Sequence, residues 1–261
     1  NKFFQIVKSH KDLKNYKKLK KLKINKSQKS ILKTKKLVIN FLRKFDIFIK
    51  KQNKVNKVYF FRHKKTKVKK DIFLGQKIDV SINNTKMNKK KFNKLNIKTF
   101  FSSPAKRCLE SLVSLKKNRQ VIISQLLNEI DYGDAEGLNY KSLKRKYPKI
   151  ITKWNKGIDV KFPNGENVKD VFKRLQLFIK TELIKENKSL NKNVVVMTHN
   201  IVLRCLIGNF FNIDRSDWYK INIKYFESYE FVISKNQLIP NIDRNKFQHL
   251  FKNINKEINF D

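Results

Sequence analysis

Cysteine, glycine, proline and alanine are all scarce in this chain. Its 261 residues hold two Cys, six Gly, four Pro and two Ala. Cys108 and Cys205 have no metal-type spacing and no nearby partner. A disulfide framework or a cysteine metal site is therefore not expected. The thiols fit small apolar packing in a reducing compartment, which reads as cytoplasmic. No run approaches the ~18–20 apolar residues of a membrane span. The start, Asn1-Lys2-Phe3-Phe4, lacks the charged-then-apolar layout of a signal peptide and lacks an initiator Met, so a piece of a longer chain is expected. Acidic residues are also few: 21 against 62 basic ones, for a formal net charge of +41.

Such an excess points first to nucleic acid or an anionic membrane. A second cause competes. Lys, Asn, Ile and Phe are abundant while Gly, Pro and Ala are avoided, which is how AT-rich coding writes a protein. Coding bias is the favoured reading, and polyanion binding the lesser one. The same bias makes the few glycines, prolines and alanines informative, because each was kept against it.

Residues 1–54 differ from the rest. They hold 19 Lys/Arg and two acids, Asp12 and Asp46, so +17 of the charge lies there. Lys14 to Lys23 reads as a solvated basic segment, helical or disordered. Val38, Phe41, Leu42, Phe45, Phe48 and Ile49 then recur at helical spacing. That predicts a helix laying its apolar face on the neighbouring domain; a membrane-surface or partner-binding helix is the sharper alternative. The division expected is a basic extension (1–54), a main domain (55–240) and a polar, loosely held tail (241–261).

Within the main domain, strands are expected at Val58–Phe61, Ile97–Ser102, Val121–Ser124, Asn193–Thr198, Ile221–Phe226 and Tyr229–Ser234, the last two as a possible hairpin. Helices are expected at Asn88–Leu95, from Pro104 to about Lys117, around Pro148, over Val168–Leu183 and over Ile201–Phe210. Strands alternating with helices predict an α/β three-layer sandwich: a mostly parallel central sheet with helices on both faces.

Two histidines stand where such a sheet binds ligands, beyond the carboxyl ends of strands. His63 follows Val58-Tyr59-Phe60-Phe61-Arg62, and His199 follows Val194-Val195-Val196-Met197-Thr198. A histidine at that edge beside an arginine is equipped for phosphate: one side chain attacks and the other holds charge.

Five segments then fall in order: Phe61-Arg62-His63-Lys64-Lys65-Thr66; Ser102-Ser103-Pro104-Ala105-Lys106-Arg107; Leu127 to Gly137, with Glu129 and Gly133-Asp134-Ala135-Glu136-Gly137; Phe162-Pro163-Asn164-Gly165-Glu166; and Val196 to Arg204 around His199. Much of the scarce Gly, Pro and Ala lies inside them. Over roughly residues 56–235 this pattern resembles the histidine phosphatase superfamily, the phosphoglycerate mutase-like fold. The resemblance implies that His63 is the nucleophile and forms a phosphohistidine. Arg62 and Arg107 would hold phosphate oxygens, His199 would donate to them, and Glu129 would protonate the leaving oxygen. Losing one such charge stabiliser costs about 10²–10³ in rate. Thr66, Lys69, Gln76, Glu136 and Asn200 are the expected substrate-binding residues, with Glu136 either lining the pocket or capping a turn. No metal and no cofactor is implied.

The chain departs from that pattern at three places. Lys64 replaces a glycine after the nucleophile, Lys69 replaces an asparagine, and Asn200 replaces a glycine after the second histidine. Ile130 stands where a mutase carries an arginine, and only about 25 residues separate Gly137 from Pro163, so a phosphatase is favoured. The reaction expected is phosphomonoester hydrolysis on a small anionic metabolite, with a lysine-rich rim aiding capture. The competitors are an impaired pseudophosphatase that binds phosphorylated ligands, and a polyanion binder acting on nucleic acid or an anionic membrane through residues 1–54. His10, His249, Trp154 and Trp218 are given no role in the chemistry. Oligomeric state is not legible.

Overall fold

The computed structural model describes residues 56–68, 71–83, 97–113, 115, 121–185, 193–211, 213–234 and 237–254. The extension 1–54, the expected helix Asn88–Leu95 and Lys69 lie outside them. The elements are β1 (Lys57–Arg62), β2 (Ile97–Ser102), α1 (Lys106–Val113), β3 (Val121–Ile123), α2 (Tyr140–Lys146), α3 (Pro148–Asn155), α4 (Val168–Phe178), β4 (Asn193–Thr198), α5 (Asn200–Phe210), β5 (Ser228–Ser234), β6 (Gln237–Pro240) and α6 (Arg244–Phe251).

Runs such as Val58-Tyr59-Phe60-Phe61 and Val194-Val195-Val196-Met197 are apolar without alternation, the composition of strands covered on both faces. They form one sheet in the order β3-β2-β4-β1-β5-β6. β3, β2, β4 and β1 pair in parallel, β5 pairs antiparallel with β1, and β6 pairs antiparallel with β5. Strand periodicity then sorts the side chains. Val58, Phe60, Phe101, Val194 and Val196 enter the larger core with Val171, Leu175 and Phe178 of α4 and Val202, Leu203 and Leu206 of α5. Tyr59, Phe61, Phe100, Val195 and Met197 enter the other, with Cys108 and Leu112 of α1. The result is the expected three-layer α/β arrangement. Both cysteines are free and fully buried.

Helix α4 starts at a capping box: Asn167 accepts from the Asp170 backbone N–H while Asp170 accepts from that of Asn167, an arrangement worth about 1 kcal/mol. The single helix expected to Leu183 instead widens into a π-turn at Ile179–Leu183. Phe178 and Leu183 are both fully buried. They stand five residues apart, a spacing that α geometry puts on different faces and an i→i+5 turn brings back together.

Two expectations fail. Ile221–Phe226 is no strand, although Ile221 and Ile223 alternate inward. Its N–H groups go elsewhere: Asn222 donates to the Leu250 carbonyl, Lys224 to the Tyr229 hydroxyl and Phe226 to the Arg62 carbonyl. The terminal hairpin is β5–β6 instead. The segment after Pro240 is not loosely held up to residue 254, because α6 buries Phe247, Leu250 and Phe251 in the larger core. Its polar composition hid a three-residue apolar stripe. Among the described residues no helix is long and apolar enough to cross a membrane.

The loops 131–133 and 163–166 meet backbone to backbone. Gly133 has φ +54°, and a Cβ there would sit 1.9 Å from the Pro163 carbonyl oxygen. Gly133→Ala should therefore lower stability by roughly 2 kcal/mol or more, read as a shifted denaturant midpoint. An unchanged midpoint would mean that these loops do not meet.

Candidate active site

Parallel pairing of β1 with β4 sets Arg62 opposite Thr198. The next residues are His63 and His199, and the His63 N–H donates to the Thr198 carbonyl at 3.0 Å. Their rings lie edge to face with centroids 5.2 Å apart. On the other side of β4, the Ser103 N–H donates to the Met197 carbonyl. Three strand ends thus deliver Arg62-His63, Ser103 and His199 to one edge.

His63 is 6% exposed. Its Nδ1 lies 2.6 Å from the Lys64 carbonyl oxygen. A carbonyl only accepts, so Nδ1 carries the proton and Nε2 keeps its lone pair. Burial pushes the His63 pKa down to about 3; Arg107 and then Arg62 push the same way, against the Lys64 hydrogen bond. His199 is likewise held well below its ordinary value by burial, with Arg107 and His63 adding to it. Both rings are neutral near neutral pH.

Arg107 lies in the first turn of α1 and is 2% exposed. It donates from Nε to His199 Nδ1 (3.3 Å) and from its terminal nitrogens to the Gly75 (2.8 Å) and Ile78 (3.5 Å) carbonyls. His199 must then carry its proton on Nε2, which donates to Ser103 Oγ at 2.9 Å. Ser103 in turn donates to Asn128 Oδ1 at 3.0 Å. The proton expected on phosphate is thus held by Ser103 here. Neither Ser103 nor Asn128 is marked as a site residue by the sequence pattern, although Ser103 adjoins Pro104.

Arg62 donates to the Ile223 carbonyl at 2.8 Å, and its guanidinium sits 3.6 Å above the Tyr225 ring. Its buried Nε has no hydrogen-bond partner among the described residues. Tyr225 also packs edge-on against His63, at 5.8 Å between centroids. The strand-like alternation of Ile221–Phe226 gives no sign of this position for Tyr225.

Glu129 sits at the N-terminus of α5. Its carboxylate accepts from the backbone N–H groups of Ile130, Asn200 and Ile201 at 3.0–3.1 Å. Burial raises its pKa above the usual carboxylate range, against the Ile130 N–H and the charges of Arg107, Arg62 and Arg174. A carboxyl so placed is suited to hold and release a proton.

Two cavities meet at Arg107 and Glu129. One, of about 220 Å³, is lined by Arg62, His63, Thr66, Asn200 and Tyr225 among others. The other, of about 260 Å³, is lined by Gln76, Asp79, Ser103, Gln125, Asn128 and His199. Arg62, His63, Arg107, Glu129, His199, Thr66, Gln76 and Asn200 are therefore brought together. Glu136 lines neither cavity. Its carboxylate accepts from the consecutive N–H groups of Gly75, Gln76, Lys77 and Ile78 at 2.8–3.1 Å, which holds the loop whose carbonyls grip Arg107. Lysine does not dominate the described lining: Lys65 is its one lysine. Lys64, in the place of the expected glycine, has no positive φ and stacks its ammonium 5.2 Å from the Phe226 ring.

The neutral rings give a pH prediction. The His63 pKa in the folded chain lies below its unfolded value of about 6.5. Above pH ~6.5 the ring is neutral in both states; as pH falls toward about 3, the unfolded chain takes up the proton first. The neutral imidazole's contribution to stability is then lost across that window. In NMR titrations the His63 ring should stay neutral from about pH 8 to pH 5, and a midpoint near 6.5 would contradict the buried geometry.

The family model described as "Histidine phosphatase superfamily (branch 1)" matches residues 58–241. The chain is 29% identical over 122 residues to phosphoserine phosphatase 1 of Hydrogenobacter thermophilus, covering 46% of this chain and 56% of that protein. It is 32% identical over 98 residues to fructose-2,6-bisphosphatase of Saccharomyces cerevisiae, covering 36% and 20%. Across these and similar curated relatives, the matched stretches span from 10% to 66% of the relative's length. Among solved structures, a putative alpha-ribazole-5'-P phosphatase from Escherichia coli superposes with TM-score 0.60 at 16% identity, covering 71% of this chain and 94% of that one. Bacillus stearothermophilus YhfR gives TM-score 0.61 at 18% identity, covering 71% and 95%. Motifs, sheet order and family match coincide on the same residues: this chain belongs to the histidine phosphatase superfamily.

Proposed function

We propose that the chain hydrolyses phosphomonoesters in two displacements through phospho-His63. In the first, the Nε2 lone pair attacks phosphorus while the bond to the leaving oxygen breaks and Glu129 gives that oxygen its proton. In the second, the Glu129 carboxylate takes a proton from water, the water oxygen bonds to phosphorus, and the P–N bond breaks. Arg62 and Arg107 hold the phosphoryl oxygens throughout, with His199 beside them. The observation that carries this reading is the His63 tautomer: the hydrogen bond to the Lys64 carbonyl leaves Nε2 free in a cavity shared with Arg62, Arg107 and Glu129.

Hydrolysis is favoured over phosphoryl transfer between substrate hydroxyls. Ile130, which follows the proton donor, is 2% exposed and part of the larger core. It offers no cation to a substrate carboxylate. The relatives' printed names span phosphoserine, bisphosphorylated-sugar and alpha-ribazole phosphatases as well as phosphoglycerate mutases. For this chain the cavity beyond Glu129 favours a small phosphorylated metabolite with a neutral polar leaving group. Its described lining offers Gln76, Ser103, Gln125 and Asn128, with Arg107 as its one cation.

Purified protein should turn over p-nitrophenyl phosphate in EDTA and take up an acid-labile phosphoryl label. His63→Ala should abolish both. Phosphate binding without turnover in the wild type would instead favour the pseudophosphatase reading.

A further inference from the structure

Glu129 must hold its carboxyl where a leaving oxygen will be, yet residues 128–131 belong to no helix or strand. Arg174, on α4, whose side chain is 14% exposed, ties them most extensively, and Gln76 Nε2 adds a 2.8 Å hydrogen bond to the Glu129 carbonyl. A guanidinium has five N–H donors in one plane, and Arg174 spends all five. Nε donates to Glu166 Oε1 at 2.9 Å. One terminal nitrogen donates to the Leu126 (3.0 Å) and Asn128 (2.6 Å) carbonyls. The other donates to the Glu129 carbonyl and to Glu166 Oε2, both at 3.0 Å.

Glu166 extends the grip past the donor. Its Oε2 accepts from the Asp131 backbone N–H at 3.0 Å and from Gln76 Nε2 at 3.4 Å. Its own N–H donates to the Asp131 carbonyl at 2.8 Å. The backbone is thus tied on both sides of Glu129, and the tie runs to a helix whose neighbouring Val171, Leu175 and Phe178 are fully buried.

We propose that Arg174, paired with Glu166, is the positioning residue for the proton donor; this rests on the reading of Glu129 given above. Neither group touches the phosphoryl site. The pair acts by removing freedom from a loop that has no ladder of its own. Lysine at 174 keeps the charge but loses the planar fork, so it cannot hold three carbonyls and a carboxylate at once.

A mere fold staple and a donor-positioning pair differ in one measurable respect. The leaving group of p-nitrophenyl phosphate departs without a proton, whereas that of a primary alkyl phosphate needs one. In Arg174→Lys, kcat/KM for the alkyl phosphate should fall about 10–100-fold while that for p-nitrophenyl phosphate changes less than about threefold. In a Glu129→Gln background, Arg174→Lys should cost the alkyl phosphate nothing further. Glu166→Gln, which keeps the side chain's shape, should show the same selectivity, and it carries the test should Arg174→Lys fail to fold. Equal losses on both substrates, or losses that add to that of Glu129→Gln, would overturn the proposal. Wild-type protein that turns over neither substrate would overturn the enzymatic reading itself. Activity on both with an unselective Glu129→Gln would remove Glu129 as donor, and Arg174 with it.

Discussion

The parallel register of β1 against β4 is the constraint on which the site depends. Because Arg62 pairs with Thr198, the residues that leave the two strands at the same level are His63 and His199. A shift by one residue would turn every side chain of β1 to the opposite face. Phe60 and Phe61 would exchange cores, and the two imidazoles would no longer share an edge. Burial therefore sets the register, and the register sets the geometry of the candidate site. Strand β2 adds Ser103 at the same edge, which lets a hydrogen-bond chain run from Arg107 through His199 and Ser103 to Asn128.

The electrostatics of this edge owe little to the overall charge. Arg62 and Arg107 are drawn from a chain rich in cations, but each is held by carbonyls and rings inside the protein. Their buried charges help keep both imidazoles neutral, which suits one for attack and both for fixed tautomers. Glu129 lies within the same cationic field, yet desolvation outweighs it and raises its pKa. The Glu129 carboxyl and the His63 imidazole are thus driven in opposite directions by the same burial.

Two other carboxylates do structural work around them. Glu136 gathers four successive N–H groups of the 75–78 loop, and Glu166 gathers Arg174 and the Asp131 N–H. Both belong to loops that need glycine: Gly133 for its positive φ and Gly165 for the close approach of the Asp131 carbonyl. A sequence that avoids glycine almost everywhere keeps it where backbones must touch.

Much of the framework could be read from residue order. Unbroken apolar runs specify strands covered on both faces, and heptad-like spacing at Val168, Val171, Phe172 and Leu175 specifies α4. Short-range patterns of that kind are written locally, so the three layers and the strand-end histidines were legible, as was Arg107 three residues after Pro104. Other features were decided only in three dimensions. Ile221 and Ile223 alternate like a strand, but their neighbours' N–H groups found Leu250, Tyr229 and Arg62 instead. Glu136 looked able to face substrate, and four loop N–H groups claimed it. Arg174 was one cation among 62, indistinguishable from a solvated one until the fold brought three carbonyls and a carboxylate within its reach. Periodicity reports which face a side chain takes; it does not report which distant backbone group will be waiting there, because that depends on how the chain closes on itself.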